Sequence, residues 1–371
     1  MSLNLNRNIS TINGEVSITG PKDCFIEDYN TNIGLIKKRI KSNKLTIQTI
    51  NKGTLTNTKI GIISINGITN KKLINNIIKQ INKINIDGLI DSSYVKRNLE
   101  NKNQLFPTII QTERPDKAAM QLLEGKVIIV VDNSPYILIL PTFFIDFFHT
   151  VDDYYQSNYQ ASFIRIIRLI AFLIAILTPA IYISITTRNY NLVSLDLLLT
   201  LKAGRTNVPF PAYIEALFMI ICFEILKESD IRMSTTNSSA VSILGGLILG
   251  DAAVAAGIVS PIMIIVIAIS SMSALIFSNL EFINIIRFYK LLLLLLSTLL
   301  GILGVIIGII YLIYDLSKTT CFNYKYLSPF IPLSKEEISD SFIKNNKNKL
   351  YRNDYLTNNK YRGNIRWKKQ L

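Results

Sequence analysis

Apolar positions along this chain follow two different rhythms. Up to about residue 145 they come in short groups set off by Asn, Lys and Thr; from 165 to 316 they run together with few polar interruptions. In the first region Lys59–Asn66 reads as a strand closed by Gly67. Asn70 is placed to cap a helix over 71–84, whose Leu73, Ile74, Ile77, Ile78, Ile81 and Ile84 recur at three-and-four spacing. A short strand at Asp87–Ile90 and a helix at Ser92–Glu100 follow. Thr112–Gly125 reads as a helix with Pro115 in its first turn and Gly125 past its last. Lys126–Val131, the turn Asp132-Asn133-Ser134-Pro135 and Tyr136–Leu140 read as a hairpin. Residues 1–55 are expected to be irregular or partly helical, with Glu27 and Asp28 ahead of Lys37, Lys38 and Arg39 in the order that a helix dipole favours.

The second region predicts spans. Arg165 and Arg168 open a first one, Ile166–Thr187, which Pro179 can kink. Met233–Leu280 holds 48 residues and one charge, Asp251. That is longer than the roughly 20 residues a bilayer core requires, so it divides at Ser260-Pro261 into Ser238–Ile258 and Pro261–Leu280. Leu291–Tyr314 is the last span. Residues 191–226 stay open. Leu192–Leu201 is too short to cross and holds Asp196, while Val208–Leu226 carries Glu215 and Glu224 behind Val208-Pro209-Phe210-Pro211. A full span, a re-entrant segment and a surface helix all fit. The aromatic stretch Pro141–Ala161 suits either an interfacial belt or core packing.

The fold class expected is therefore an α+β soluble N-terminal domain followed by an α-helical polytopic membrane domain and a basic C-terminal tail. The divisions are an N-terminal segment 1–55, a cytosolic α/β domain 56–145, an interfacial connector 146–164, a transmembrane domain 165–316 and a tail 317–371. The net charge is +14, and the tail holds 12 Lys/Arg against 4 Asp/Glu. A basic tail beside a membrane points to the anionic cytoplasmic leaflet and to lipid as a partner. Its aromatics follow no nucleic-acid recognition pattern, so no nucleic-acid partner is expected. Met1–Ser10 is polar and shows no signal peptide, which keeps the N-terminal domain cytoplasmic. Four spans bring both ends to one side; a fifth would place the tail outside, against the charge rule.

Catalytic chemistry finds little support. The single His149 and the dispersed Cys24, Cys222 and Cys321 form no nucleophile–base pair and no metal spacing, and no phosphate-binding glycine loop is present. No enzyme, cofactor or metal is expected. The informative groups are the acids among apolar residues: Glu215, Glu224 and Asp251. They either line a cation path or pair with Arg232, Lys227 or a helix end. Glu215 and Glu224 are nine apart, on opposite faces of a straight helix; Glu224 and Glu228 are one turn apart. Gly246/Gly250 and Gly304/Gly308 allow close helix approach.

Several segments resemble the A subunit of the GerA-type spore germination receptors. They are GPKDCFIEDYNTNIGLIKKR from Gly20, TERPDKAAMQLLEGKVIIVVDNSPYILILP from Thr112, DDYYQSNYQASFIRIIR from Asp152, VPFPAYIEALFMIICFEILKESDIR from Val208 and VSILGGLILGDAAVAAGIVSP from Val241. The resemblance implies a membrane subunit that oligomerises into a ligand-gated cation channel. It also implies a transporter-like B subunit and a lipoprotein C subunit as partners, and residence in the spore inner membrane. Under it, Gly246, Gly250, Asp251 and Val254 are candidate pore-lining residues, and Glu215, Glu224 and Glu228 belong to a vestibule or gate. Thr112, Glu113, Arg114 and Asp116 would couple the soluble domain to the pore. The chain departs from the family's habit at Ile220, Asp251 and Ala255, where an acid, Gln and often Glu are usual, and at Met233–Thr236, where a proline-glycine turn is usual. The family's N-terminal domain is also usually longer. Secondary transport and a non-conducting scaffold are the competing readings.

Overall fold

The computed structural model describes residues 15, 20–101, 104–232, 246, 250–331, 341 and 344. The chain forms two compact units, residues 1–166 with 316–371, and residues 167–315.

The first unit is built on a five-stranded antiparallel sheet in the order β1-β2-β4-β5-β3. The strands are β1 (Leu45–Lys52), β2 (Thr58–Ile65), β3 (Ile110–Thr112), β4 (Val127–Val131) and β5 (Ile137–Leu140). Helices α1 (Tyr29–Arg39) and α4 (Pro115–Leu123) cover one face; α2 (Lys71–Asn82) and α3 (Ser92–Leu99) cover the other. The two-residue period of a strand sorts the side chains. Ile60, Ile62, Val127, Ile129, Val131, Leu138 and Leu140 enter the core with α2 and α3. Ile63, Ile65, Ile128, Val130, Ile137 and Ile139 enter the one with α1 and α4. Because both faces are covered, the inner strand β4 is buried throughout, and its sequence is an unbroken Val/Ile run.

Caps set the helix starts. Asn70 accepts from the Lys72 N–H at 2.9 Å, Asp28 from Thr31 at 2.7 Å and Asp91 from Ser93 at 3.0 Å. Two strands escape the sequence pattern. β1 is an edge strand rich in Thr, Gln and Asn, half exposed along its length. β3 takes Ile110–Thr112, so the helix expected from Thr112 starts at Pro115 instead, with proline in its first turn. The strand expected at Asp87–Ile90 does not form. That segment is held by isolated bonds, from Leu55 N–H to Asp87 O at 2.9 Å and from the Thr58 hydroxyl to Leu89 O at 2.6 Å. The stretch 141–161 follows the packing alternative in part: Phe143, Phe147 and Phe148 are buried, whereas Tyr155 and Tyr159 are exposed. After the second unit the chain returns as β6 (Thr320–Cys321) and β7 (Tyr324–Lys325). The Cys321 thiol donates to Thr108 O at 3.1 Å, and Tyr326 packs between Phe106 and Phe144.

The second unit is helical. The first unit includes α5 (Asp152–Tyr155) and the start of the long α6 (Asn158–Thr187), which continues into the second. α7 (Leu195–Ala203), α8 (Ala212–Arg232), a helical stretch over 250–255, α9 (Pro261–Ala274), α10 (Leu280–Leu300) and α11 (Ile302–Lys318) follow. Asn158–Thr187 and Leu280–Leu300 are long and apolar enough to cross a membrane; Pro261–Ala274 is a shorter apolar helix. Most of the span expected at Ser238–Ile258 lies outside the described residues.

Two expected spans are corrected. Pro261–Leu280 ends at Ala274, and Leu280 already belongs to the next helix, capped by Asn279. Leu291–Tyr314 is broken at Gly301, whose φ of 63° and ψ of −137° stop α10. A side chain there would run into Asn189 Oδ1, which is already used to cap the Ile302 N–H at 2.9 Å. Gly304 and Gly308 then face α10: a Cβ at Gly304 would strike the Leu296 carbonyl, and one at Gly308 the Leu293 side chain. This GxxxG pair therefore closes a helical hairpin by backbone approach. By contrast, among the described residues a Cβ at Gly246 or Gly250 would meet nothing within 4 Å.

Candidate functional site

In the first unit the TERPD segment forms one buried polar cluster. Thr112 ends β3; its hydroxyl donates to Glu15 at 2.8 Å and accepts from the Arg114 N–H at 3.1 Å. The Arg114 guanidinium grips Asp116 through two bonds, 3.1 and 2.8 Å, and faces Asp152 at 3.6 Å. Tyr155 donates to the same Asp116 carboxylate at 3.2 Å. The Glu113 carbonyl accepts from Phe25 N–H at 2.9 Å. Burial would raise the Asp116 carboxyl, but the guanidinium outweighs it and holds the group below the usual carboxylate range. Burial and Asp116 together push the Tyr155 hydroxyl up to about 12. The four residues Thr112, Glu113, Arg114 and Asp116 thus tie β3, α4, α5 and Glu15 into one piece.

Beside this cluster lies the start of α6. Asp153 takes the Thr150 N–H and hydroxyl, each at 3.0 Å, and faces the fully buried Arg165 at 3.5 Å. Two residues near the C-terminus dock here. His149 Nε2 donates to Ser341 O at 2.6 Å, and the Lys344 ammonium donates to the carbonyls of Asp153, Tyr154 and Gln156 at 2.8, 3.3 and 2.9 Å. Burial, then the neighbouring Arg165 charge, lower the His149 pKa to about 4. His149 is thus neutral near pH 7, with the proton assigned to Nε2 by its carbonyl partner. Sequence reasoning gave this histidine no partner, because Ser341 lies 192 positions away.

The second unit holds the acids. Glu215, in the first turn of α8, accepts from Arg205 Nε and Nη2 at 3.2 and 2.8 Å and, through its other oxygen, from the Ser260 N–H at 3.1 Å. It is 1% exposed. One carboxylate thereby joins the loop before α8 to the first turn of α9, and Arg205 also binds Phe210 O at 3.3 Å. Glu224, further along α8, faces Arg287 of α10 at 2.7 Å. The structure keeps Glu215 and Glu224 apart, each with its own arginine. The sequence reading offered Arg232, Lys227 or a helix end as partners: Glu215 does meet a helix end at Ser260, while Arg205 and Arg287 sit on other elements, where local spacing gives no signal. Glu228 is exposed. Asp251 lies in the helical stretch 250–255 and is exposed, and Val254 is half-buried. Gly246 is half-buried in helical backbone, as is Gly250.

These features define a class: an antiparallel α+β unit whose chain passes through an apolar helical unit bearing ion-paired carboxylates and then returns. The chain belongs to the GerA family of Bacillus/Clostridium spore germination proteins, whose model matches residues 2–355. It is 37% identical over 339 residues to spore germination protein KA of Bacillus subtilis, covering 91% of this chain and 62% of that one. It is 36% identical over 357 residues to spore germination protein GerQA of Bacillus cereus, covering 96% and 72%. The chain thus spans 62% of the length of the KA protein it matches. Among solved structures, it is similar to the N-terminal domain of the A subunit of the Bacillus megaterium spore germinant receptor GerK3. The identity is 38% over 33% of this chain and 97% of that one, with a TM-score of 0.28.

Proposed function

We propose that the chain is the membrane subunit of a nutrient-responsive germinant receptor and that copies of it oligomerise around a gated cation pathway. The observation that carries this reading is that the family match runs through both units, residues 2–355, rather than one alone.

Other features support the finer parts. The chain leaves the first unit at 166 and rejoins it at 316. A membrane-spanning second unit would then cross an even number of times, leaving the α+β domain and the returning tail on one side, the cytoplasmic one by charge. Of Glu215, Glu224 and Asp251, Asp251 is the acid proposed to border water: it is exposed, whereas Glu215 and Glu224 are engaged by arginines. Among the described residues nothing fills the space beside Gly246 and Gly250, where a second copy would pack. Gly246, Gly250, Asp251 and Val254 are accordingly the proposed pore lining. Glu215, Glu224 and Glu228 surround its approach, and the Thr112–Asp116 cluster carries the signal from the soluble domain. The partners proposed are a transporter-like B subunit, a lipoprotein C subunit and lipid, in the spore inner membrane.

Spores lacking the chain should fail to release monovalent cations when given the nutrient, and expression of the chain should restore release. Unchanged cation release from the deleted strain, with no redundant receptor present, would contradict the proposal.

A further inference from the structure

We propose that Pro179 is a hinge in α6 and that the Ser270 hydroxyl of α9 is its latch, a bond made in one gating state of the receptor and released in the other. Pro179 lies in the interior of α6, on its buried side. Proline has no N–H, so the Ala175 carbonyl, four residues earlier, loses its bond from the helix's own ladder. The Ser270 hydroxyl donates to that carbonyl at 2.7 Å. Ala175 and Ser270 are both fully buried and both lie in the second unit. A buried carbonyl without a donor is costly, the more so among apolar helices, and the crossing bond restores what the proline removes.

The serine is unusual for its place. The buried residues of α9 are Met263, Ile267, Ser270 and Ala274, one stripe at three-and-four spacing. A hydroxyl within a helix commonly returns to a carbonyl of its own helix. Thr186, Thr187 and Ser297 of this unit do so, bonding to Tyr182 O, Ile183 O and Leu294 O. Ser270 instead reaches a residue 95 positions away.

The bond also lies where a hinge can act. Before Pro179, the Phe172 ring stacks on Phe282, near the start of α10, with centroids 5.7 Å apart. After it, Arg188 Nε donates to Thr298 O at 3.1 Å, near the end of the same helix, and Asn189 caps Ile302 at 2.9 Å. With α6 fastened on both sides of the proline, its middle can bow where its own ladder is interrupted. Bowing there makes or breaks the bond to Ser270. α9 follows the stretch that holds Asp251 and Val254, and α6 begins in the first unit. The latch therefore joins the helix that leaves the soluble unit to the helix that follows the proposed pore lining. The gating role rests on the channel reading given above; the bond itself does not. A bond made equally in both states would shift nothing, whereas one made in a single state shifts the balance by its net worth.

The full chain is tested in two ways. In detergent, Ser270→Ala is expected to lower the unfolding midpoint. In a Pro179→Ala background the restored N–H serves the Ala175 carbonyl, and the same substitution is expected to lower the midpoint much less. Equal losses in the two backgrounds overturn the latch. Far-UV circular dichroism confirms that each variant folds, and Ser270→Cys, near in shape and a weak donor, serves if Ser270→Ala does not. In spores, Ser270→Ala is expected to shift the nutrient concentration for half-maximal cation release about fivefold. A fall assigns the bond to the resting state and a rise to the conducting state; either upholds the latch. An unshifted response, with the coupling present in detergent, makes the bond structural and overturns its gating role. Wild-type chain that gives no nutrient-dependent release fails the receptor reading, and the gating role with it, while the detergent comparison still decides the bond.

Discussion

At the scale of single residues, the structure turns on a few buried charges and the partners that hold them. Glu215 is the clearest, since it neutralises Arg205 and completes the first turn of α9 through Ser260. Removing one member of a buried pair leaves an uncompensated charge and costs about 3–5 kcal/mol, whereas replacing both by apolar groups is often neutral. Glu215→Met should therefore destabilise the second unit by that order, and Arg205→Met/Glu215→Met should recover most of it. Denaturation of the detergent-solubilised protein measures both, and a silent Glu215→Met would show that the pair does not hold the fold. His149 makes a pH prediction. Its folded pKa, about 4, lies below the unfolded value of about 6.5. The unfolded chain therefore binds the proton first, and stability falls as pH drops from 6.5 toward 4, by about 3 kcal/mol in all. His149→Phe removes this component, so the difference between wild-type and variant unfolding midpoints should change across that window and be flat above pH 7.5. A constant difference would mean that the imidazole is not buried neutral. Asp116 acts in a lower range. Its depressed pKa contributes stability above the unfolded carboxylate value, and that stability is lost as pH falls through the folded one.

At the scale of elements, the sequence was most legible where one period ruled. The helix over 71–82 and its Asn70 cap, and the β4–β5 hairpin, follow from spacing alone. β1 was hidden because an edge strand carries polar residues on its open side. β3 was hidden because three residues are too few to show a period, and the Thr112 hydroxyl that resembles a helix start serves a strand end. In the apolar half, composition marks membrane-like helices but not where they break. Gly301 sits in a run as hydrophobic on one side as on the other, and only its positive φ and the Asn189 side chain above it reveal the turn. That geometry predicts a cost. Gly301→Ala should lose about 1–3 kcal/mol from the backbone conformation alone. Gly308→Leu should also lose stability, because the added side chain must displace Leu293. Thermal unfolding in detergent checks both; an unchanged midpoint in Gly308→Leu would mean that α10 and α11 do not close on one another.

At the scale of the whole molecule, the informative fact is that the chain enters and leaves the helical unit from the same α+β unit. The sequence suggested this only through charge balance, because the contacts that anchor the return, such as Cys321 with Thr108, span 213 positions. If the helical unit crosses a membrane, cysteines introduced at exposed Leu55 and Lys325 should react with an impermeant reagent from the same side of oriented vesicles; opposite labelling would require an odd count. The candidate pore residues were legible as types, an acid among glycines and alanines, but not as an assembly, since nothing within one copy shows which face meets another. The central claim, a cation pathway bordered by Asp251, is tested most directly by ion flux through the purified assembly in proteoliposomes. Wild-type protein should pass cations in preference to anions, and Asp251→Asn should reduce that preference while leaving the assembly intact. Equal selectivity and conductance in the two, or no flux at all from an intact assembly, would contradict it.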